Sequence, residues 1–203
     1  MYIGRFLVVG KTKEGNNFLA YRVSSRSFPN RIAKIFGNSI SIIPKNLDEI
    51  FKNPYICYNC IKVVDNVVVG SNGSHTDFIA EKLHYGYRDA LASVLLSMDY
   101  EKDEYGTPRI AGIVDKDRCF LGYVKEDSIR VAKFNLKESG IGYYLGVYNS
   151  CKITKKQKIE VPYNSAEEIA EYILNYKDFE HPVACGVALI KDNDVELAVK
   201  NKN

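Results

Sequence analysis

Long apolar runs, tryptophan and clustered histidines are all missing from the 203 residues of this sequence. A membrane-spanning helix needs about 20 mainly apolar residues, so no transmembrane helix is predicted. The first residues also lack the basic segment and small-residue cleavage site of a signal peptide, and we therefore expect a cytoplasmic protein. The three histidines, His75, His84 and His181, do not have the spacing of metal ligands, so no metal site is predicted.

Excess charge and paired cysteines are equally scarce. The net charge is only +3, whereas a dedicated nucleic-acid-binding protein would be expected to carry a sustained basic face. The five cysteines are odd in number and scattered, which argues against a disulfide framework. Cys57 and Cys60 have the CxxC spacing but no second pair to complete a zinc site, so we interpret them as packing residues.

Strands dominate the predicted secondary structure. Short polar connections indicate hairpins, with a turn near Asp65-Asn66, and they predict an antiparallel meander over residues 109–148. The predicted strands are 2–10, 17–24, 38–44, 56–63, 66–70, 109–114, 119–124, 129–134, 142–148, 183–190 and 194–199. The predicted helices are 77–84, 87–98 and a third that begins at the capping box Ser165–Glu168 and ends near Asn175. This pattern predicts one α+β domain over residues 1–203, with two stacked, mainly antiparallel sheets and helices packed outside.

Acidic residues are absent from residues 15–47, and the run Tyr21–Arg31 within this stretch is rich in guanidinium and hydroxyl groups. It contains three arginines and three serines, where a predicted strand passes into a turn at Pro29-Asn30. Arginine offers a planar fork that matches phosphate oxygens, and serine adds short hydrogen-bond donors. The run therefore predicts a site for phosphate or another strong anion. The alternative is a solvated edge strand whose charges serve solubility.

Two loops are further candidates for a functional site. Ser71–Thr76 leads into a predicted helix, where free backbone N–H groups favour anions. It has no lysine to make it a P-loop, and a plain loop with Thr76 as helix N-cap is the alternative. Asp99–Arg109 gathers four carboxylates. Either one of its glutamates serves as a general acid or base, or the loop is a solvated charged segment.

Seven short strings are unusual enough to compare with known families. They are Met1–Arg5, Tyr21–Arg31, Asn53-Pro54-Tyr55, Tyr58–Ile61, Ser71–Asp77, Met98–Glu104 and Thr107–Ile110. Together they resemble the archaeal type of IMP cyclohydrolase, strongly over about the first 115 residues and in length and pattern beyond them. The resemblance implies a four-layer αββα sandwich similar to that of N-terminal-nucleophile hydrolases. Because Met1-Tyr2 offers no nucleophile at the N-terminus, amide hydrolysis of that kind is not expected.

The resemblance also implies a reaction, the closure of 5-formamidoimidazole-4-carboxamide ribonucleotide to IMP with loss of water in purine synthesis. The carboxamide nitrogen must attack the formyl carbon of the same molecule, so the site has to hold these groups face to face. It must also bind the phosphate, stabilise an oxyanion, accept a proton from the nitrogen and protonate the departing hydroxyl. This chemistry requires no metal or organic cofactor.

The candidate site residues follow from these needs and from the matching strings. We predict the catalytic residues Tyr58, Glu104, Glu101 and Arg26. We predict the substrate-binding residues Arg5, Tyr21, Arg22, Ser24, Asn30, Arg31, Asn59 and Asn72. The arginines and Ser24 are expected to hold the phosphate or the oxyanion. The tyrosines and asparagines are expected to orient the reacting groups, and Glu104 or Glu101 to act as acid or base.

Two other functions remain open from the sequence. An amidohydrolase on the same scaffold would use Cys57 or Cys60 as its nucleophile and release formate or ammonia. A non-catalytic module would bind a purine nucleotide through the same arginines without closing a ring. The expected partner is a small-molecule nucleotide rather than nucleic acid or a membrane, and the family resemblance implies a dimer or tetramer.

Overall fold

A computed structural model describes residues 1–51, 56–192 and 194–202 of the chain, in which two antiparallel sheets are stacked face to face. The first sheet contains, in spatial order, β11 (Lys158–Glu160), β10 (Ile141–Gly146), β1 (Phe6–Lys11), β2 (Asn17–Ser24), β12 (Pro182–Lys191) and β13 (Asp194–Asn201). The second contains β3 (Arg31–Phe36), β4 (Ser39–Pro44), β5 (Tyr58–Val64), β6 (Val67–Ser71), β7 (Arg109–Val114), β8 (Cys119–Lys125) and β9 (Ser128–Lys133). The string Asn53-Pro54-Tyr55 lies outside the described residues.

Three apolar layers hold this arrangement together. Buried side chains of both sheets, such as Leu7, Leu19 and Ile61, form the central core. Helix α3 (Ala166–Leu174) packs on the outer face of the first sheet, and α1 (His75–Glu81) and α2 (Tyr87–Met98) pack on the outer face of the second. The predicted α+β fold with an αββα sandwich is therefore confirmed. None of the described helices is long and apolar enough to cross a membrane.

Several predicted boundaries need correction. The first strand begins at Phe6 rather than at residue 2, and the strands β3 and β11 were not predicted. Helix α1 begins at His75, so Thr76 lies inside it and its hydroxyl donates to the Gly73 carbonyl, 3.2 Å away, instead of capping the helix.

The predicted meander over residues 109–148 is only partly correct. β7, β8 and β9 are consecutive neighbours in the second sheet, but β10 pairs with β1 in the first. The connecting segment crosses between the sheets because Phe134 and Leu136 are buried in the central core, where the Phe134 ring packs 5.1 Å from that of Tyr143. The connection from β9 to β10 is therefore not a hairpin turn but a buried crossing from the second sheet to the first.

At one end of the first sheet, the termini of three neighbouring strands lie close together. The register pairs Phe6 with Arg22 on one side and with Gly146 on the other, so β1 begins where β2 and β10 end. Gly4 precedes β1 with φ at +68°, and a Cβ at this position would lie within 2.8 Å of Val147 and Tyr148 side-chain atoms. Only glycine fits there, and it lets the N-terminal segment lie against the residues that follow β10.

Candidate active site

A polar cavity of about 240 Å³ opens at this end of the first sheet. Its walls come from the segment before β1, the loop after β2, the loop between α2 and β7, and the residue Tyr148 after β10. The lining residues are Tyr2, Gly4, Arg5, Ser24, Ser25, Ser27, Phe28, Arg31, Ile56, Glu101, Asp103, Glu104, Tyr105, Thr107 and Tyr148. Of the predicted site residues, the structure thus brings Arg5, Ser24, Arg31, Glu101 and Glu104 together around one cavity.

Arg5 and Glu101 form a buried ion pair in the cavity wall. The Arg5 guanidinium donates to both carboxylate oxygens of Glu101, at 2.7 and 3.3 Å, and to the Asn72 carbonyl at 2.9 Å. Arg109 lies 3.6 Å from the same carboxylate. Burial opposes the charge on Arg5, but Glu101 and the phenol oxygens of Tyr58 and Tyr21 raise the pKa of Arg5 well above its usual value. Arg5 is therefore a fixed cation.

Ser24 and Arg31 both line the cavity and carry hydrogen-bonding groups that are not used within the described residues. The Ser24 side chain is 2% exposed, and its hydroxyl has no hydrogen-bond partner among the described residues. The Arg31 Nε donates to the Phe28 carbonyl at 3.0 Å, which leaves the terminal amino groups of the fork without a partner in the described part of the chain. Burial lowers the pKa of Arg31. An unpaired, desolvated guanidinium beside an unsatisfied hydroxyl is an arrangement that favours an anion.

Tyr21 and Tyr58 face each other from the two sheets, with their hydroxyl oxygens 2.6 Å apart. Tyr21 is fully buried, and burial together with Tyr58 raises its pKa well above the usual value. Within the described residues neither hydroxyl has another hydrogen-bond partner, and either phenol can donate the proton of this bond. Neither phenol lines the cavity; both lie behind Arg5 and Arg31.

Arg22 does not belong to this site, and its prediction as a phosphate ligand is wrong. It alternates with Tyr21 along β2 and therefore points to the opposite face of the sheet. There it is fully buried under α3 and donates to the carbonyls of Ile173 at 3.0 Å and Phe179 at 2.7 Å. Burial lowers the pKa of Arg22 to about 10. Its task is to satisfy the carbonyl groups at the end of a helix.

The two predicted asparagines also turn away from the cavity. Asn59 alternates with Tyr58 and donates to the Asp77 carboxylate of α1 at 3.1 and 3.2 Å. The Asn72 amide donates to the Pro108 carbonyl at 2.9 Å and accepts from the Ile110 N–H at 2.8 Å. Both side chains are engaged by these contacts and neither lines the cavity, so the structure does not bring them to the site. Asn72 acts instead through its backbone carbonyl, which holds Arg5.

Arg26 and Asn30 lie at the rim. The Arg26 guanidinium is exposed, stacks 4.3 Å from the centre of the Tyr2 ring and approaches Glu180 at 3.5 Å, outside the cavity lining. Asn30 is exposed and lines an adjoining cavity of about 340 Å³. That second cavity shares Phe28 and Arg31 with the first, so the two adjoin.

Three residues that were not among the predicted site residues form one hydrogen-bonded chain in the cavity wall, Asp103, Thr107 and Tyr148. The Thr107 hydroxyl lies 2.7 Å from an Asp103 carboxylate oxygen and 3.1 Å from the Tyr148 hydroxyl. Asp103 and Thr107 belong to the strings Met98–Glu104 and Thr107–Ile110, on which the family resemblance rests. Tyr148 follows an ordinary strand pattern, and no signal in the sequence distinguishes it from the fourteen other tyrosines.

The cysteines have the properties of packing residues. Cys60 is fully buried, and burial raises its pKa well above the usual value; burial also raises the pKa of Cys57. Neither lines the cavity. A nucleophilic thiol needs a lowered pKa and access to substrate, so these observations weigh against an amidohydrolase. Over the described ranges, no three histidine, cysteine or acidic side chains are grouped to hold a metal ion.

Comparison with known proteins gives one consistent result. Residues 2–194 match the family model described as IMP cyclohydrolase-like protein. A protein named IMP cyclohydrolase from Methanocaldococcus jannaschii is 66% identical over 203 residues, which is all of both chains. Proteins of the same name from Methanococcus maripaludis strain C7 and Methanocella arvoryzae are 56% and 44% identical, and each alignment covers at least 95% of both chains.

Proposed function

Because this chain belongs to the IMP cyclohydrolase-like family, we propose that it closes 5-formamidoimidazole-4-carboxamide ribonucleotide to IMP with loss of water. The observation that carries the proposal is the pairing of Ser24 and Arg31. A buried hydroxyl and a guanidinium fork with unused donors meet in a polar cavity, and they suit the phosphate of a nucleotide. Ser25 and Ser27 line the same wall.

Arg5 stabilises the oxyanion that forms at the former formyl carbon. Three of its five N–H groups are engaged by Asn72 and Glu101, so two remain for a ligand. Because Glu101 and Asn72 hold the guanidinium in place, it does not have to reorganise during the reaction. Preorganised donors of this kind are among the largest contributions to catalysis. The adjacent phenols of Tyr21 and Tyr58 do not line the cavity, so they act on the reaction through Arg5, which they support from behind.

Glu104 is the general acid or base of this proposal. It lines the cavity and is exposed, so it can exchange protons with both substrate and solvent. Glu101 cannot share this role because both of its carboxylate oxygens are bound by guanidinium groups. We assign Glu101 to the positioning of Arg5. In the reverse direction the same groups hydrolyse a cyclic amidine C–N bond, so the enzyme is a hydrolase by class.

The chain is further proposed to act as a single domain and to assemble as a dimer or tetramer. Light scattering coupled to size-exclusion chromatography measures the mass of the assembly directly. A monomer at working concentrations would contradict this assembly without affecting the assignment of the reaction.

The test of the reaction is to incubate the purified protein with the formamido ribonucleotide and to follow the ultraviolet absorbance of IMP. We expect Arg31→Ala to raise KM for the ribonucleotide, because phosphate binding is lost. Glu104→Gln should lower kcat by about 10²–10⁴-fold, the usual size of general acid–base catalysis. Arg88→Ala, an exposed arginine of α2 outside the cavity, is the matched control. Release of formate or ammonia without IMP would contradict the proposal.

A further inference from the structure

The chain Asp103–Thr107–Tyr148 has only one consistent arrangement of protons. The Asp103 carboxylate accepts hydrogen bonds from the Thr107 hydroxyl at 2.7 Å, and from the backbone N–H groups of Thr107 at 2.9 Å and Tyr105 at 3.2 Å. A carboxylate bound in this way can only accept, so the single hydroxyl proton of Thr107 is directed at Asp103. The Thr107 oxygen must therefore accept the hydrogen bond from Tyr148.

The phenol oxygen of Tyr148 consequently presents lone pairs, and not a proton, to the cavity that it lines. Burial raises the pKa of Tyr148, so the hydroxyl keeps its proton at neutral pH. Turning that proton toward a ligand would break the bond to Thr107, at a cost of about 1 kcal/mol. Tyr148 is thus a hydrogen-bond acceptor for whatever group binds next to it.

The position of Tyr148 relative to the anion-binding residues indicates which group that is. Ser24 ends β2, Tyr148 follows β10, and β1 lies between these two strands in the sheet. Two strand spacings of about 4.8 Å separate the two ends of the cavity by roughly 10 Å. With the phosphate of a nucleoside monophosphate at Ser24 and Arg31, Tyr148 lies at the end where the base is expected.

On the basis of the proposed function, we infer that Tyr148 accepts a hydrogen bond from the nitrogen that becomes N1 of the purine ring. In the substrate this is the attacking carboxamide nitrogen, and in IMP it is the N1–H group. The contact orients the nitrogen for attack. It also selects nucleotides that carry a proton on N1, because AMP would set the lone pair of its N1 against those of Tyr148.

Thr107→Val tests this inference through the relative affinities for IMP and AMP. Valine has a similar shape but no hydroxyl, so Tyr148 is free to turn its proton toward a ligand. We expect the variant to bind AMP about 5-fold better relative to IMP than the wild type does, since the cost of about 1 kcal/mol disappears. Thr107→Ser keeps the hydroxyl and should keep the wild-type ratio. Both ratios are measured by isothermal titration.

Tyr148→Phe provides the second arm. It should weaken IMP binding and leave AMP binding nearly unchanged, and thermal unfolding confirms that each variant is folded. Equal ratios in wild type and Thr107→Val, or a loss of both affinities in proportion, would overturn the inference. Ring closure is measured on the same preparations. If the wild type closes the ring but Thr107→Val has the same ratio of IMP to AMP affinity as the wild type, the inference about Tyr148 is overturned and the proposed function stands. A shifted ratio without ring closure overturns the proposed function, while Tyr148 stands as the acceptor.

Discussion

The neighbouring residues Tyr21 and Arg22 point to opposite faces of the first sheet. Tyr21 faces the second sheet and bonds to Tyr58, whereas Arg22 faces α3 and donates to the carbonyls of Ile173 and Phe179. A strand directs successive side chains to opposite faces, so proximity in the sequence does not make two residues part of one site. The arginines of the run Tyr21–Arg31 therefore divide into one that binds a helix, one at the rim and one in the cavity.

Replacing Arg22 by leucine should destabilise the protein without weakening IMP binding by the folded fraction. The carbonyls at the end of α3 lose their donors, and a buried unsatisfied polar group costs about 1–3 kcal/mol. Urea unfolding measures the free-energy change, and IMP titration of the folded variant measures affinity. A tenfold loss of IMP affinity with unchanged stability would return Arg22 to the binding site.

His75 makes the stability of the fold depend on pH. Burial, together with the positive charge of Arg109, lowers the pKa of His75 to about 3. In the unfolded chain histidine takes up a proton near pH 6.5, so the unfolded state binds more protons below that pH. The stability that neutral His75 contributes is present above pH 6.5, and it is lost as the pH falls from 6.5 toward 3.

Between pH 6.5 and 4.5 this single group should remove on the order of 2–3 kcal/mol of unfolding free energy. His75→Gln keeps an N–H donor for the Ile110 carbonyl but cannot titrate, so its stability should fall less steeply over the same range. His84→Gln, at an exposed position, is the control. Urea unfolding at several pH values gives both slopes, and identical slopes for His75→Gln and wild type would show that His75 does not titrate as expected.

At the scale of elements, the predictions that rest on neighbouring residues, such as turns and helix caps, are confirmed. The turn predicted at Asp65-Asn66 joins β5 to β6, and both residues have the positive φ, 46° and 62°, that a two-residue hairpin of type I′ requires. The predicted N-cap is confirmed as well, because the Ser165 hydroxyl accepts from the Glu168 N–H at the start of α3, and the Glu168 carboxylate accepts from the same hydroxyl.

Removing that cap should affect α3 alone. Ser165→Ala is expected to lower the unfolding free energy by about 1 kcal/mol, since one N–H group at the helix start loses its acceptor. Ring closure should be unchanged, because α3 packs on the first sheet from the side opposite the central core and contributes nothing to the cavity lining. Ser128→Ala, at the exposed first residue of β9, is the matched control for unfolding in urea. A loss of turnover that exceeds the loss of folded protein would contradict this separation.

At the scale of the whole molecule, a nucleotide that binds only the folded state should stabilise it. IMP at 100 times its dissociation constant should raise the unfolding free energy by about 2.7 kcal/mol. Inosine at the same concentration should stabilise less, because it lacks the phosphate for Ser24 and Arg31. Thermal unfolding measures both effects. Equal shifts for IMP and inosine would mean that the phosphate contributes nothing and that the anion end of the cavity is wrongly assigned.

What the sequence determined by itself was the layered α+β architecture, because hydrophobic period, turn chemistry and helix caps are properties of neighbouring residues. It also marked two segments that line the cavity, the acid-free run of guanidinium and hydroxyl groups and the acidic loop. Only the tertiary structure decided which side chains of those segments share a cavity. Arg22 and Asn59 lie outside the cavity because successive side chains of a strand point to opposite faces. Tyr148 lines the cavity because β10 belongs to the first sheet. Which face a side chain takes depends on packing partners distant in the chain, and no local pattern records them.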